Sequence, residues 1–336
     1  MVRHPKTLIE FMQMYPTAED CRQAIFEHRW PPDLRRPRRS GSPGTGRATI
    51  HASQHAAILS GPGERPGRQR PERSGRAARL NILFVGDVFG QPGREALLRW
   101  LPGFLEERAV DFVIANGENA ANGAGITSKI ALKLLGAGVD VITTGNHVWR
   151  QKEVYSFLAT DERIVRPANY PAGSPGRGVT VRPAADGSEV AVVNLAGELF
   201  MNTGMSPFRV VDRLVEEAQA LAETIVVDLH AEATSEKVAM GHYLDGRVTA
   251  VLGTHTHVQT SDARVLPGGT AYMTDVGMTG PLESVIGVRT DIIIKRFLTE
   301  LPAQFEVADG PVRLDAALIA AEGGRASSIE AFEVIL

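Results

Sequence analysis

The chain has 336 residues, a single cysteine (Cys21) and a formal net charge of -3, which excludes a disulfide framework and a cysteine-based metal site. Charge is unevenly divided: residues 1–79 carry 15 Arg and Lys against 7 Asp and Glu, and residues 80–336 carry 21 against 32. No apolar run reaches the length that crosses a bilayer, and the N-terminus lacks the apolar core of a secretory signal, so a cytoplasmic protein without a membrane partner is expected.

Residues 6–30 can form short helices around Leu8, Phe11, Met12 and Met14, then Cys21, Ala24 and Ile25. From Pro31 to Arg79 the chain turns to Arg, Pro, Gly and Ser. Such a composition buries too little surface to offset chain entropy, and disorder is expected. Its Arg clusters could attract nucleic acid through phosphate charge, but no aromatic residues are interleaved to stack on bases, which favours a solvated tail. Thr7 to Pro31 resembles the opening of certain insertion-sequence transposases, although the cysteine-rich zinc ribbon that should follow is absent. That break implies a fusion or a misplaced start, with Leu80 as a plausible true beginning, and no transposase function is expected. The chain therefore divides into a basic extension over 1–79 and a catalytic body over 80–336.

From Leu80 onward strands and helices alternate. Asn81–Val85 is a buried strand ending at Gly86-Asp87, and Arg94–Arg108 has helical spacing through Leu97, Leu98, Leu101 and Leu105. Val110–Ala115 ends in Asn116-Gly-Glu118-Asn119. Thr127 or Ser128 caps a helix that Gly138 can end, and Val139–Thr144 ends in Gly145-Asn146-His147. Ala185-Asp-Gly187 marks a hairpin between Val179–Arg182 and Val190–Asn194. Further on come a helix over Phe208–Ala222, a strand over Thr224–Leu229 ending in His230, and a helix over Glu236–Leu244. Strands over Val248–Leu252, Ala271–Thr274 and Phe332–Leu336 complete the pattern. This is a layered α/β domain with partly parallel sheet, built from two packed sheets with helices outside.

Polar clusters fall at the carboxyl ends of these strands, where α/β sheets place ligands. They comprise Asp87, Glu118, Asn119, Asn146, His147, His230, His255 and His257. His255 and His257 are expected to continue a strand, whose alternation would turn both imidazoles to one side. Carboxylate, amide and imidazole donors without thiolate suit Mn, Fe or Zn in a catalytic rather than a structural site. Eight such residues are too many for one ion and reasonable for two, the arrangement that displacement at phosphorus uses. Glu232 and Lys237 are expected to support His230 by hydrogen bonds. Arg94, near the start of its helix, is a candidate phosphate contact, and Trp149 is expected to pack rather than bind.

Six motifs in the body, among them Gly86-Asp-Val-Phe-Gly90, Asn116-Gly-Glu-Asn119, Thr144-Gly-Asn-His147 and Gly253-Thr-His-Thr-His257, are similar to those of the calcineurin-like metallophosphoesterases. Phe89 and Glu118-Asn119 in place of the usual His and Asp resemble the bacterial YmdB-type group. The resemblance implies a four-layer αββα sandwich of two mixed sheets. It implies one metal on Asp87, Glu118, Asn119 and His257, and a second on Glu118, Asn146, His230 and His255, with His147 as proton donor. It further implies two divalent ions (Fe or Mn, with Zn open), hydrolysis of 2′,3′-cyclic nucleotides to 3′-nucleotides or of related small phosphodiesters, and a homo-oligomer. Glu198 stands where many relatives would carry Arg. A nucleotidase-type phosphomonoesterase is the rival within enzymes, and a slow-turnover regulatory protein binding cyclic nucleotide or RNA is the rival outside them.

Overall fold

Alternation along one strand sets the architecture. In a computed structural model, whose described residues are 79–201 and 203–336, strand β1 (Leu80–Val85) turns Leu83 and Val85 to one side and Ile82 and Phe84 to the other. The expected short helices and disordered tail of residues 1–78 lie outside the described residues.

The first side of β1 packs against helices α1 (Gly90–Glu107), α2 (Ser128–Ala137) and α3 (Val154–Thr160), with Leu97, Leu101, Leu134 and Leu158 fully buried there. Its second side meets a second sheet. Ile82, Phe84, Phe112 and Ile114 from the first sheet interleave with Val192, Val226, Leu252 and Met273 from the second. A third core covers the far face of that second sheet, where Val193, Val227 and Val251 pack under α4 (Val211–Gln219) and α5 (Thr234–Tyr243). Each fully buried side chain of this size contributes roughly 1.5–3 kcal/mol. The result is the expected four-layer αββα sandwich.

In the first sheet β1 runs parallel to β3 (Phe112–Asn116), and β3 runs parallel to β4 (Val141–Thr143). On its other edge β1 pairs antiparallel with β12 (Val312–Glu322), from Leu80↔Ala321 to Val85↔Ala316. β12 also pairs with β11 (Met278–Pro281), which holds β2 (Asp87–Val88), and with β13 (Arg325–Ile335). The second sheet contains β5 (Val179–Pro183), β6 (Glu189–Ala196), β7 (Thr224–His230), β8 (Ala250–Thr254), β9 (Arg264–Val265) and β10 (Ala271–Met273). There β6, β7, β8 and β10 are parallel neighbours in that order. Parallel strands in both sheets thus bring the ends of β3, β4, β7 and β8 to one edge of the sandwich.

Local chemistry accounts for several boundaries. Thr127 has extended backbone and its hydroxyl accepts the Ile130 N–H at 3.2 Å, while Gly138 closes α2 with φ 120°. Thr127→Ala is expected to cost about 1 kcal/mol, lowering the melting temperature by about 2–4 °C, as a thermal denaturation series would read. The hairpin turn sits where expected, between β5 and β6 with Gly187 at φ 86°. Several elements differ from expectation: β12, α3 and α6 (Thr290–Thr299) were not anticipated, and β13 begins seven residues before the expected Phe332. Phe208–Ala222 resolves into a 3-10 turn at Pro207–Arg209 and the shorter α4, with Val210 at φ -115° between them.

Candidate metal centre

Four parallel-strand ends and the β2 segment deliver the expected residues to one place. Asp87 opens β2, Glu118 and Asn119 follow β3, Asn146 and His147 follow β4, His230 ends β7, and His255 and His257 follow β8. Asp87, Glu118 and His230 are completely buried, and the His147 side chain is 28% exposed.

The imidazoles are each oriented through one nitrogen. His230 Nδ1 donates to Thr254 Oγ1 at 2.9 Å, and that hydroxyl donates to Asp228 Oδ1 at 2.7 Å. His255 Nε2 meets Glu232 Oε2 at 3.1 Å, and His257 Nδ1 donates to the Ile286 carbonyl at 3.1 Å. His147 Nδ1 donates to Asn119 Oδ1 at 2.9 Å, since an amide oxygen can only accept.

Three electron-pair donors then crowd one nitrogen. Glu118 Oε1, Asn146 Oδ1 and His255 Nδ1 each lie 3.0 Å from His230 Nε2. That nitrogen can offer at most one proton, so the cluster cannot satisfy itself. Glu118 Oε1 makes no hydrogen bond although it is buried and lies within 3.2 Å of His147 Nδ1. The contacts of Glu118 Oε1 with the two imidazoles are therefore close charge contacts rather than aligned hydrogen bonds. A divalent cation fits this set, and among the described residues Glu118, His230 and His255 form a group whose donor atoms lie within 4.8 Å of one another.

The remaining candidate residues gather beside it. Asp87 Oδ1 is 3.9 Å from both His230 Nδ1 and His257 Nε2, and Asp87 Oδ2 accepts the His255 backbone N–H at 3.0 Å. Asn119 turns its Nδ2 towards His257 Nε2 (2.9 Å) and Asp87 Oδ1 (3.5 Å), with its oxygen committed to His147. Its amide therefore joins the second group to the proton-donor candidate.

Charge balance reflects the same crowding. Burial disfavours a charged His230, but Glu118, Asp87 and Asp228 outweigh it and push the imidazole up to about 9. Burial opposes a charged Glu118, yet His230 and His147 hold it well below the usual carboxylate range. Burial and the neighbouring His230 hold His255 down at about 3, so its ring is neutral, as a ligand must be. In the metal-free chain the raised imidazole stabilises the fold below its ordinary range, and that contribution is lost as pH rises through about 9. Metal binding must displace the same proton. Apparent Mn²⁺ affinity is expected to rise about tenfold per pH unit from neutrality and level off near 9; a calorimetric series with a flat profile would contradict it.

Two expectations are corrected. His255 and His257 do not lie on a strand: β8 ends at Thr254, and both adopt left-handed backbone, φ 101° and 63°. Glu232 supports His255 rather than His230, and Lys237 pairs with Asp275 at 2.7 Å. Arg94 is half-buried and donates to the Ala120 carbonyl, bracing the loop that carries Glu118 and Asn119. Trp149 packs edge-on against Tyr155 and Tyr170, as expected.

A family model described as YmdB-like protein matches residues 83–332. The chain belongs to that family. Its YmdB-like body is 50% identical over 240 residues to a protein of Bacillus subtilis (strain 168) named 2′,3′-cyclic-nucleotide 2′-phosphodiesterase, covering 71% of this chain and 90% of the relative. A crystal structure of a hypothetical protein from Thermus thermophilus superposes with a TM-score of 0.72 at 46% identity, covering 76% of this chain and 99% of that one. A structure titled as a novel phosphatase from Mycoplasma pneumoniae gives 0.72 at 33% identity, over 77% and 94% of the two chains.

Two residues of the YmdB-like site escaped the sequence reading although a signal was present. Asp228 precedes His230 by two residues on one strand, so both face the same side. Asn116 likewise precedes Glu118, accepts its backbone N–H at 3.1 Å, and donates to Asp228 at 3.0 Å. Among the described residues no helix is long and apolar enough to cross a membrane.

Proposed function

We propose that the chain is a metal-dependent phosphodiesterase that opens 2′,3′-cyclic nucleotides, or related small phosphodiesters, to 3′-nucleotides. The observation that carries this reading is the convergence of Glu118 Oε1, Asn146 Oδ1 and His255 Nδ1 on His230 Nε2, beside the partly exposed His147. The substrate class is supported by the name of the Bacillus relative.

Glu118, Asn146, His230 and His255 would hold one divalent ion, and Asp87, His257 and the shared Glu118 a second, which Asn119 would join only through its Oδ1, since the Nδ2 turned towards His257 has no lone pair to give. Oxygen and imidazole donors suit Fe or Mn. Bound there, the ions supply Lewis acidity to the attacking water and neutralise charge on the phosphoryl oxygens.

The proton work falls to His147. Its Nδ1–H is fixed on Asn119, so Nε2 is the nitrogen left for substrate. It passes a proton to O2′ while the P–O2′ bond breaks; water supplies the new P–O bond and releases one proton to solvent, from which His147 is reprotonated, and the phosphate stays on O3′. General-acid help of this kind is worth about 10²–10⁴-fold. Buried Asn119 fixes the tilt of the ring, and Glu118 Oε2 accepts the His147 backbone N–H at 3.0 Å, so donor and ligands move as one unit.

The test uses the full chain loaded with Mn²⁺ or Fe²⁺, incubated with 2′,3′-cyclic AMP, with products separated by chromatography. Formation of 3′-AMP that collapses in His147→Ala while metal content stays constant supports the assignment. Release of 2′-AMP, or full activity in the variant, would overturn the role of His147. The phosphatase title of the Mycoplasma neighbour keeps a phosphomonoesterase in view; faster turnover of 3′-AMP than of the cyclic diester would establish it.

The same reading includes a homo-oligomer, supported by the apolar face that α6 leaves open at Ile294, Phe297 and Leu298. Phe297→Ser is expected to lower the sedimentation coefficient towards that of the monomer, and an unchanged value would remove α6 from the interface.

A further inference from the structure

His255 and His257 both occupy the left-handed region that side chains with a Cβ rarely adopt. A backbone of this kind persists only where its surroundings over-determine it. Thr256, between them, is held at two points by one carboxylate oxygen. Asp275 Oδ2 accepts the Thr256 backbone N–H at 3.1 Å and its hydroxyl at 2.6 Å. The same oxygen meets Lys237 Nζ at 2.7 Å, and Oδ1 accepts the Gly277 N–H at 2.8 Å. Asp275 is itself fixed from behind, where its backbone N–H donates to Thr260 Oγ1 at 2.9 Å and its carbonyl accepts the Thr260 N–H at 3.0 Å.

Both charges are deeply buried, Asp275 at 0% and Lys237 at 1% exposure. Their charged ends meet each other, Thr256 and the Gly277 N–H. Lys237 fills the space beside Gly253, where an added Cβ would run into its Cδ and the Thr274 carbonyl. A paired charge this far from water is an expensive way to hold a loop, and its hydrogen bonds converge on the residue between two imidazoles.

We propose that Asp275 and Lys237 form a positioning pair that locks the His255-Thr256-His257 turn, so that His255 Nδ1 and His257 Nε2 are presented to the metal site. The inference rests on the metal-site reading above. It assigns to the buried pair a role in metal affinity separable from its share of stability. The Thr256 hydroxyl is the point of transmission.

The experiment titrates Co²⁺ into the metal-stripped full chain, followed by calorimetry and by the visible spectrum of bound cobalt. Thr256→Val keeps the shape but removes the hydroxyl bond; it is expected to weaken Co²⁺ binding about 10–100-fold and to alter the cobalt spectrum, with little change in metal-free melting. Asp275→Asn leaves Lys237 buried without its partner and is expected to lower the melting temperature as well. The double variant Lys237→Met, Asp275→Asn removes both charges; it is expected to recover melting temperature but not cobalt affinity. That separation identifies positioning, since a purely structural pair would recover both together. Wild-type affinity and spectrum in Thr256→Val and in the double variant would overturn the inference alone. Absence of Co²⁺ binding by the wild-type chain would instead overturn the metal-site reading, and this inference with it.

Discussion

Glu118→Gln is expected to abolish tight binding of divalent metal and to lower kcat/KM roughly 10²–10⁴-fold, the range that follows from a loss of about 3–5 kcal/mol when one partner of a buried charge cluster is removed. The substitution keeps shape and volume but replaces a charged acceptor with a neutral amide. Glu118 Oε1 is the oxygen that lies 3.0 Å from His230 Nε2 and 3.2 Å from His147 Nδ1, and Oε2 accepts the His147 N–H. An amide leaves His230 with less compensation for burial, so the imidazole falls from about 9 towards its ordinary value. NMR titration of the metal-free chain reads that shift, and metal analysis reads the stoichiometry. A variant that keeps two bound ions and full turnover would remove Glu118 from the centre of the site.

Gly145→Ala is expected to damage the site more than the fold. Gly145 lies in the turn after β4 and does not have left-handed backbone. Alanine is therefore conformationally acceptable, yet its Cβ would run into Glu118 Oε2 and the His230 ring. The only relief is to push those side chains apart, which separates donors now 3.0 Å from each other. Overpacking of this kind costs about 1–3 kcal/mol, a few degrees of melting temperature at about 2–4 °C per kcal/mol. Turnover is expected to fall at least 100-fold, because a displacement of about 1 Å at reacting groups has that effect. Paired thermal and kinetic measurements test the asymmetry; a variant that melts normally and turns over normally would show that the site yields without consequence.

Much of this site was legible in the sequence because ligand-type residues follow buried apolar runs. The strands ending at Asn116, Thr143 and His230 are apolar runs that give way to polar ligand-type residues, so their polar termini could be placed. What escaped depends on distant partners. β12 reads Val-Arg-Leu-Asp-Ala-Ala-Leu-Ile-Ala-Ala-Glu, an alanine-rich stretch without strand propensity of its own. It is a strand because β1 and β13 pair along it. Lys237 and Asp275 are 38 residues apart, with no local pattern to join them. The two histidines misled in the opposite way. Their i, i+2 spacing fits a strand, but the strand stops at Thr254, and hydrogen bonds from elsewhere set the turn that carries them.

The pairing of β1 with β12 also governs when the protein can become active during its own synthesis. Leu80 finds its partner at Ala321, and Asp87 lies beside backbone hydrogen-bonded to Gly277 and Asp315. At about 5–20 residues per second, roughly ten to fifty seconds separate the appearance of β1 from that of its neighbour. Until then one edge of β1 is unpaired and the carboxylate at its end has no frame. Nascent chains stalled before β12 should therefore neither retain metal nor resist proteases, however much of the second sheet has already emerged from the ribosome.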